Sequence, residues 1–126
     1  MINEGNKFEI LIEEICATLS LSYNTLKEKY KDYPICLMEY IENSIHENLI
    51  EVRFDNHLAT FSLSFDKENI CNGSFLFFDD IKDEDSFIEY LNEDTEYNFK
   101  RSCWTMIDCY LKVKPSKWET AFYFYK

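Results

Sequence analysis

LIEVRFDNHLATFSLSF, residues 49–65, alternates apolar and polar side chains on both sides of a short polar break. Ile50, Val52 and Phe54 fall on one face of an extended chain, with Glu51 and Arg53 on the other. Ala59, Phe61, Leu63 and Phe65 then alternate with Thr60, Ser62 and Ser64. Successive side chains of a strand point to opposite faces, so each half reads as a half-buried strand. Asp55-Asn56-His57 supplies the turn between them, and the whole stretch predicts a β-hairpin.

Upstream of the hairpin the period changes to three and four. Phe8, Leu11, Ile12, Ile15, Cys16 and Leu19 predict a helix over residues 6–20, with Glu9, Glu13 and Glu14 outside. Ser20 and Ser22 interrupt it, and Tyr23, Leu26, Tyr30 and Tyr33 predict a second helical piece. Asp32 before Pro34 reads as the start of a third helix, because proline suits a first helical turn. Its inner face would be Leu37, Met38, Ile41 and Ile45, so helices are expected over about residues 6–46.

Downstream, Ile70 to Phe78 reads as a third strand, in which Gly73 marks a bulge. DDIKDEDSFIEYLNEDTE, residues 79–96, follows with nine acids against one base, Lys82. Phe87, Ile88 and Leu91 predict an amphipathic helix near residues 84–92. Ser86 and Glu89 fit a capping box, with Asp83 and Asp85 competing for the N-cap. Residues 95–101 form a further candidate strand, and Cys103 to Leu111 alternates as one strand running through Asp108. Pro115 and Ser116 supply a turn before a last strand from Trp118 to Tyr125. The expected fold class is α+β in one domain, residues 1–126. Amino-terminal helices pack on a mainly antiparallel sheet (about 49–125), with one acidic helix inserted between strands.

Composition narrows the chemistry. An apolar fraction of 46% in 126 residues supports a single real core. With only Gly5 and Gly73, glycine-rich phosphate loops are excluded. No HExxH, EF-hand loop or cysteine–histidine cluster exists, so neither a metal nor a cofactor is expected. The five cysteines (Cys16, Cys36, Cys71, Cys103, Cys109) show no CxxC spacing. MINEGNKFEI lacks the regions of a signal peptide, and no apolar run approaches the ~20 residues that span a bilayer. The expectation is a cytoplasmic protein with reduced, mostly core thiols, and no membrane partner. His46 and His57 are the histidine bases, and nothing local pairs either with Cys71 or Cys103. No enzyme is expected; an enzyme or ligand-binding domain would need a deep apolar pocket converging on a histidine or cysteine.

Function must then be sought in surface chemistry. Residues 32–96 hold seventeen acids and three bases, whereas residues 97–126 hold two acids and six bases, within a net charge of −11. Such a field repels nucleic acid and attracts basic partners. The candidate contact residues in the acidic stretch are Asp79, Asp80, Asp83, Glu84, Asp85, Glu89, Tyr90, Glu93 and Asp94. In the last strands, Phe122 and Phe124 would point inward with Ile107 and Leu111. Trp104, Tyr110, Tyr123 and Tyr125 would then share the opposite face, with Asp108 as an exposed acid beside them. That face reads either as a sheet-stabilising aromatic ladder or as a contact surface.

A small acidic α+β chain, rich in Tyr and Phe and empty of catalytic motifs, resembles the immunity proteins of bacterial toxin–immunity pairs, including those of contact-dependent growth inhibition. The resemblance is one of overall type across the whole chain, and no family residue is carried over. It implies binding and neutralisation of a cognate toxin domain, a basic nuclease in many pairs. Two alternatives stand beside it: a nucleic-acid mimic or adaptor that inhibits a DNA-binding enzyme, and a small enzyme with an unrecognised pocket.

Overall fold

Eight strands in one sheet, with three helices on one of its faces, make up the computed structural model, which describes residues 4–106, 108–115 and 119–126. Helices α1 (Glu4–Cys16) and α2 (Tyr23–Lys29) come first. Strands β1 (Ile35–Glu42), β2 (Ile45–Phe54), β3 (Ala59–Phe65) and β4 (Cys71–Phe78) follow. Helix α3 (Ile81–Asp94) separates these from β5 (Glu96–Asn98), β6 (Cys103–Thr105), β7 (Tyr110–Pro115) and β8 (Thr120–Tyr125). The strand order is β1-β2-β3-β4-β8-β7-β6-β5, antiparallel at every named pairing. The α+β expectation holds.

The hairpin of residues 49–65 is its centre. Ile50 pairs with Leu63 and Val52 with Phe61, and all four are fully buried. Phe54 stacks on Phe61 with ring centroids 4.4 Å apart. α1 lays Phe8, Leu11, Ile12 and Ile15 against this face at the predicted helical spacing. Thr18, just beyond α1, is buried but satisfied: its hydroxyl donates to the Ile15 carbonyl at 2.6 Å and lies 2.8 Å from Ser74 Oγ. α2 is capped by Ser22, whose Oγ accepts from the Thr25 N–H at 3.2 Å.

The third helix predicted upstream of the hairpin is a correction. Residues 35–54 form a second hairpin, with Glu42 opposite Ile45 across Asn43 and Ser44. Both turn residues have positive φ, 51° and 68°, as a two-residue strand connection with the native twist requires. Leu37 and Ile41 stand four residues apart, a spacing that serves one face of a strand as well as one face of a helix, and Ile45 follows the turn on the opposite face. Ile35, Tyr40, Ile41 and Ile45 are also strand-favouring types. Pro34 opens an edge strand, where no ladder N–H is missed, and its carbonyl accepts from the Arg53 N–H at 2.9 Å. The side chains assigned to the core are therefore exposed: Leu37 by 42%, Ile41 by 74% and Ile45 by 60%.

Two further elements shift. α3 starts earlier than expected because Asp80, not Ser86, Asp83 or Asp85, is its N-cap, accepting from the Lys82 N–H at 3.0 Å. The strand predicted over Cys103–Leu111 is broken into β6 and β7, and Met106 N–H donates to the Cys109 carbonyl across the break at 2.9 Å. Ile107, Ser116 and Trp118 lie outside the described residues. Gly73 sits beside a register shift, where Ser64 pairs with Gly73 but Phe65 pairs with Cys71. The expected bulge is there, with Asn72 the extra residue.

Tyr30 gives the fold an alkaline limit. It is fully buried among Tyr33, Phe54 and Phe61, and its hydroxyl donates to Glu14 Oε1 at 2.7 Å. Burial first, then Glu14, push its ionisation well above the ordinary tyrosine range. The unfolded chain ionises this phenol near pH 10, so the stabilisation is complete below that pH and is lost as pH rises toward the folded value. Urea titrations above pH 10 should show stability falling by about 1.4 kcal/mol per pH unit for this one group. Tyr30→Phe should remove that increment of slope; an unchanged slope would assign the alkaline limit to other groups.

Candidate functional site

α1 and α3 lie side by side on the helix-bearing face because their phenylalanines share one cluster. The Phe8 ring lies 5.2 Å from Phe87 and 5.6 Å from Tyr90. Helical periodicity then aligns Glu9 and Glu13 on α1 with Tyr90, Glu93 and Asp94 on α3. Between the helices and the β6–β7 connection opens a cleft of about 1040 Å³. Ile12, Leu19 and Met106 contribute apolar lining, and Glu96 and Asp108 close the far side.

Six carboxylates line this cleft (Glu9, Glu13, Glu93, Asp94, Glu96, Asp108) against one base, Lys126. Among the described residues, none of the six has a Lys, Arg or His nitrogen within ion-pairing distance. Their field is felt by Tyr90, whose phenol is pushed up by burial and then by Glu9, Asp94 and Glu13. Like charges held together without counterions cost stability, so a partner that supplies cations is favoured there. No three acidic, His or Cys side chains among the described residues are grouped so as to hold a metal ion. The charges are dispersed along a groove, which suits several Lys or Arg side chains with their stems on the apolar lining.

The candidate residues from the sequence divide among four places. Tyr90, Glu93, Asp94 and Asp108 meet in the cleft. Asp108 thus belongs to the β6–β7 connection, not to the outer sheet face. Asp79 and Glu84 line a separate recess of about 730 Å³ with Glu51 and Glu119. Asp79 is already engaged, its two oxygens 2.7 and 2.6 Å from the Arg53 guanidinium, which holds its carboxyl below the usual range. Asp80 is the helix cap, Asp83 and Glu84 occupy the first turn of α3, and Asp85 and Glu89 are exposed farther along.

The aromatic candidates separate too. Trp104 pairs with Leu111, which pairs with Phe124, so it lies on the core face; it is buried, its Nε1–H 3.3 Å from Asn92 Oδ1. The break at Asp108 restarts the alternation, which explains why a single strand placed Trp104 outside. Tyr110 and Tyr123 do lie on the outer face, in a ladder with Phe75 and Tyr125. Gly73 makes room for it, since a Cβ there would meet Tyr123 Cε1 at 2.7 Å. This face is cationic: Arg101 lies 4.1 Å from the Tyr110 ring centre, Lys114 4.4 Å from Tyr123 and Lys112 5.4 Å from Tyr125. The carboxylates of the cleft lie on the helix side and the aromatic ladder on the other face, which also carries the recess of Glu51, Asp79 and Glu84.

Glu9, Glu13 and Glu96 were missed as site residues. Glu9 and Glu13 read as the solvated face of an isolated helix, and only the packing of α1 beside α3 turns them toward other acids. The thiol expectation also needs correction, because Cys16 and Cys109 are joined by a disulfide at the end of the cleft, with Cα atoms 6.3 Å apart. Cys36 is free and exposed, and Cys71 and Cys103 are free and buried. No described helix is long and apolar enough to cross a membrane.

Neither histidine lines the cleft. His46 is exposed on the β1–β2 hairpin against Glu39. His57 lines a recess of about 370 Å³ with Glu14, Tyr33, Arg53 and Asp55, and burial followed by Lys7 pushes its imidazole down. No cysteine lines that recess. Comparisons of the chain with family models, curated proteins and solved structures found no match.

Proposed function

We propose that this protein is an immunity protein that binds and neutralises a bacterial toxin domain of basic, nuclease-like character, acting in the cytoplasm of the producing cell without catalysis or a cofactor. The observation that carries the reading is the cleft with six carboxylates, none of them ion-paired among the described residues. A nuclease must hold phosphates and so presents Lys and Arg around its active site. Those cations would enter the cleft, pair with Glu9, Glu13, Glu93 and Asp94, and lay their stems over Ile12 and Leu19. Long-range attraction accelerates the encounter, and desolvated contacts around Tyr90 slow dissociation. A nucleic-acid mimic would space its carboxylates along an extended surface, whereas here they converge on one groove. A pocket converging on a histidine or cysteine would favour an enzyme, and this cleft has neither a histidine nor a free thiol in its lining.

The test is stopped-flow association with a basic toxin domain encoded beside this gene, at low and high salt. Wild type should associate quickly, with a rate that falls as salt rises. The triple variant Glu9→Lys/Glu13→Lys/Asp94→Lys should lose about 10- to 1000-fold in association rate at low salt. Asp85→Lys/Glu89→Lys, on exposed parts of α3, should lose far less. Losses in simple proportion to the charge changed, roughly six units against four, would show that only net charge matters and would remove the cleft from the mechanism.

A further inference from the structure

The two ends of the sheet are finished differently. β5 is only three residues long, a common way of making an edge too short to recruit another strand. β1 runs eight residues in unbroken register with β2, from Ile35↔Val52 to Glu42↔Ile45, and among the described residues no strand pairs with its other side. Its sequence, ICLMEYIE, lacks the lysine, proline or bulge that usually protects such an edge. It also exposes large apolar groups on both faces. Leu37 and Ile41 lie on the helix-bearing face, being in register with Ile50 and His46, and Tyr40 lies on the other.

We infer that β1 pairs antiparallel with β1 of a second copy of this chain, about a two-fold axis passing at Glu39, to make one continuous sheet. The register follows from the pattern. Joining like faces requires odd residues opposite odd and even opposite even. Centring on Glu39 sets Leu37 opposite Ile41 of the second copy, twice, and Met38 opposite Tyr40, twice. Centring on Met38 would set Leu37 against Glu39, and centring on Tyr40 would set Ile41 against Glu39. Centring on Met38 does pair Ile41 with Ile35 and Tyr40 with Cys36, but only the Glu39 register gives all three exposed apolar groups, Leu37, Tyr40 and Ile41, an apolar partner. Its cost is Glu39 facing Glu39, which is softened because each Glu39 already contacts His46 of its own hairpin. The two-fold makes the interface self-complementary and closed, so it stops at two copies.

Each copy carries −11, so the copies repel at long range and added salt should strengthen the pair. A complex held by the acidic cleft should weaken under the same change, so the two interfaces are separable.

The experiment is sedimentation equilibrium of the full chain over a concentration series at low and high salt. A reversible dimer that tightens with salt is expected. Ile41→Lys, at a side chain exposed by 74%, should weaken it about ten-fold or more with an unchanged circular dichroism spectrum, and Glu39→Gln should tighten it. In a Cys36→Ser background, Glu39→Cys should crosslink to its own counterpart under mild oxidation and Leu37→Cys should not. A monomer at every concentration, a dimer indifferent to Ile41→Lys, or crosslinking through position 37 would overturn the proposal. So would a monomer whose β1 amides gain exchange protection only on adding the basic domain, which would assign the edge to that partner.

Discussion

Phe87→Ala is expected to cost about 3–5 kcal/mol of folding stability, the usual range for removing a fully buried aromatic ring. Phe87 is where three elements meet α3. Its ring lies 5.2 Å from Phe8 of α1, 5.3 Å from Phe78 of β4 and 4.8 Å from Phe122 of β8. Two of these contacts are edge-to-face, which adds to the area term. Its neighbours belong to different elements, so they cannot collapse together into the space left behind. Urea denaturation should show a lower midpoint with the slope unchanged. Ile81→Ala, at the exposed start of the same helix, should fall within about 0.5 kcal/mol of wild type. A loss of less than about 1 kcal/mol at Phe87 would mean that α3 is not anchored through this ring. The α3 side of the acidic cleft, with Tyr90, Glu93 and Asp94, would then be held in place by other contacts.

Opening the Cys16–Cys109 bond should be nearly as costly. The bond spans 93 residues and so constrains most of the unfolded chain. Loop-closure entropy for a loop of this size corresponds to about 4–5 kcal/mol, and removal of native disulfides commonly costs about 2–5 kcal/mol. Cys16→Ser/Cys109→Ser and dithiothreitol should each lower the urea midpoint by a comparable amount, and dithiothreitol should do nothing further to the double variant. Denatured, non-reduced protein should titrate three thiols, those of Cys36, Cys71 and Cys103. The proposed compartment bears on this directly, since a reducing cytoplasm disfavours disulfides. Thiols trapped in intact producing cells should then number five, as in the notional reduced chain. Three trapped in the cell would move the protein to an oxidising compartment.

Where two physical signals coincided, the fold was legible in the sequence. In residues 49–65, strict alternation and strand-favouring types pointed the same way, as did helical spacing and composition in α1. Residues 35–46 were misread because Leu37 and Ile41 satisfy both periods, Ile45 continues the helical one across the turn, and Pro34 is as welcome at an edge-strand start as at a first helical turn. The turn that decides the matter, Asn43-Ser44, lacks glycine and gives little local warning. A two-residue alternation was read across the break between β6 and β7, which put Trp104 on the outer face although it lies on the core face. The candidate site was half legible. Tyr90, Glu93 and Asp94 stood out by charge density, and Asp108 by its apolar neighbours. Glu9 and Glu13 could not be separated from any solvated helix face, since their role depends on which helix lies alongside.

Six carboxylates converge on the cleft beside α1 and α3, while Arg101, Lys112 and Lys114 lie over the aromatic ladder on the opposite face of the sheet. The net anion therefore carries a local concentration of negative charge on its helix side. Under the proposed function, the field of that groove would act on a basic domain before any atoms touch and favour its approach from the helix side. Orientation is the step that ordinarily reduces protein association far below the collision rate. A chain built this way relaxes that restriction through its charge layout alone, and it should associate faster than a chain of equal net charge spread evenly.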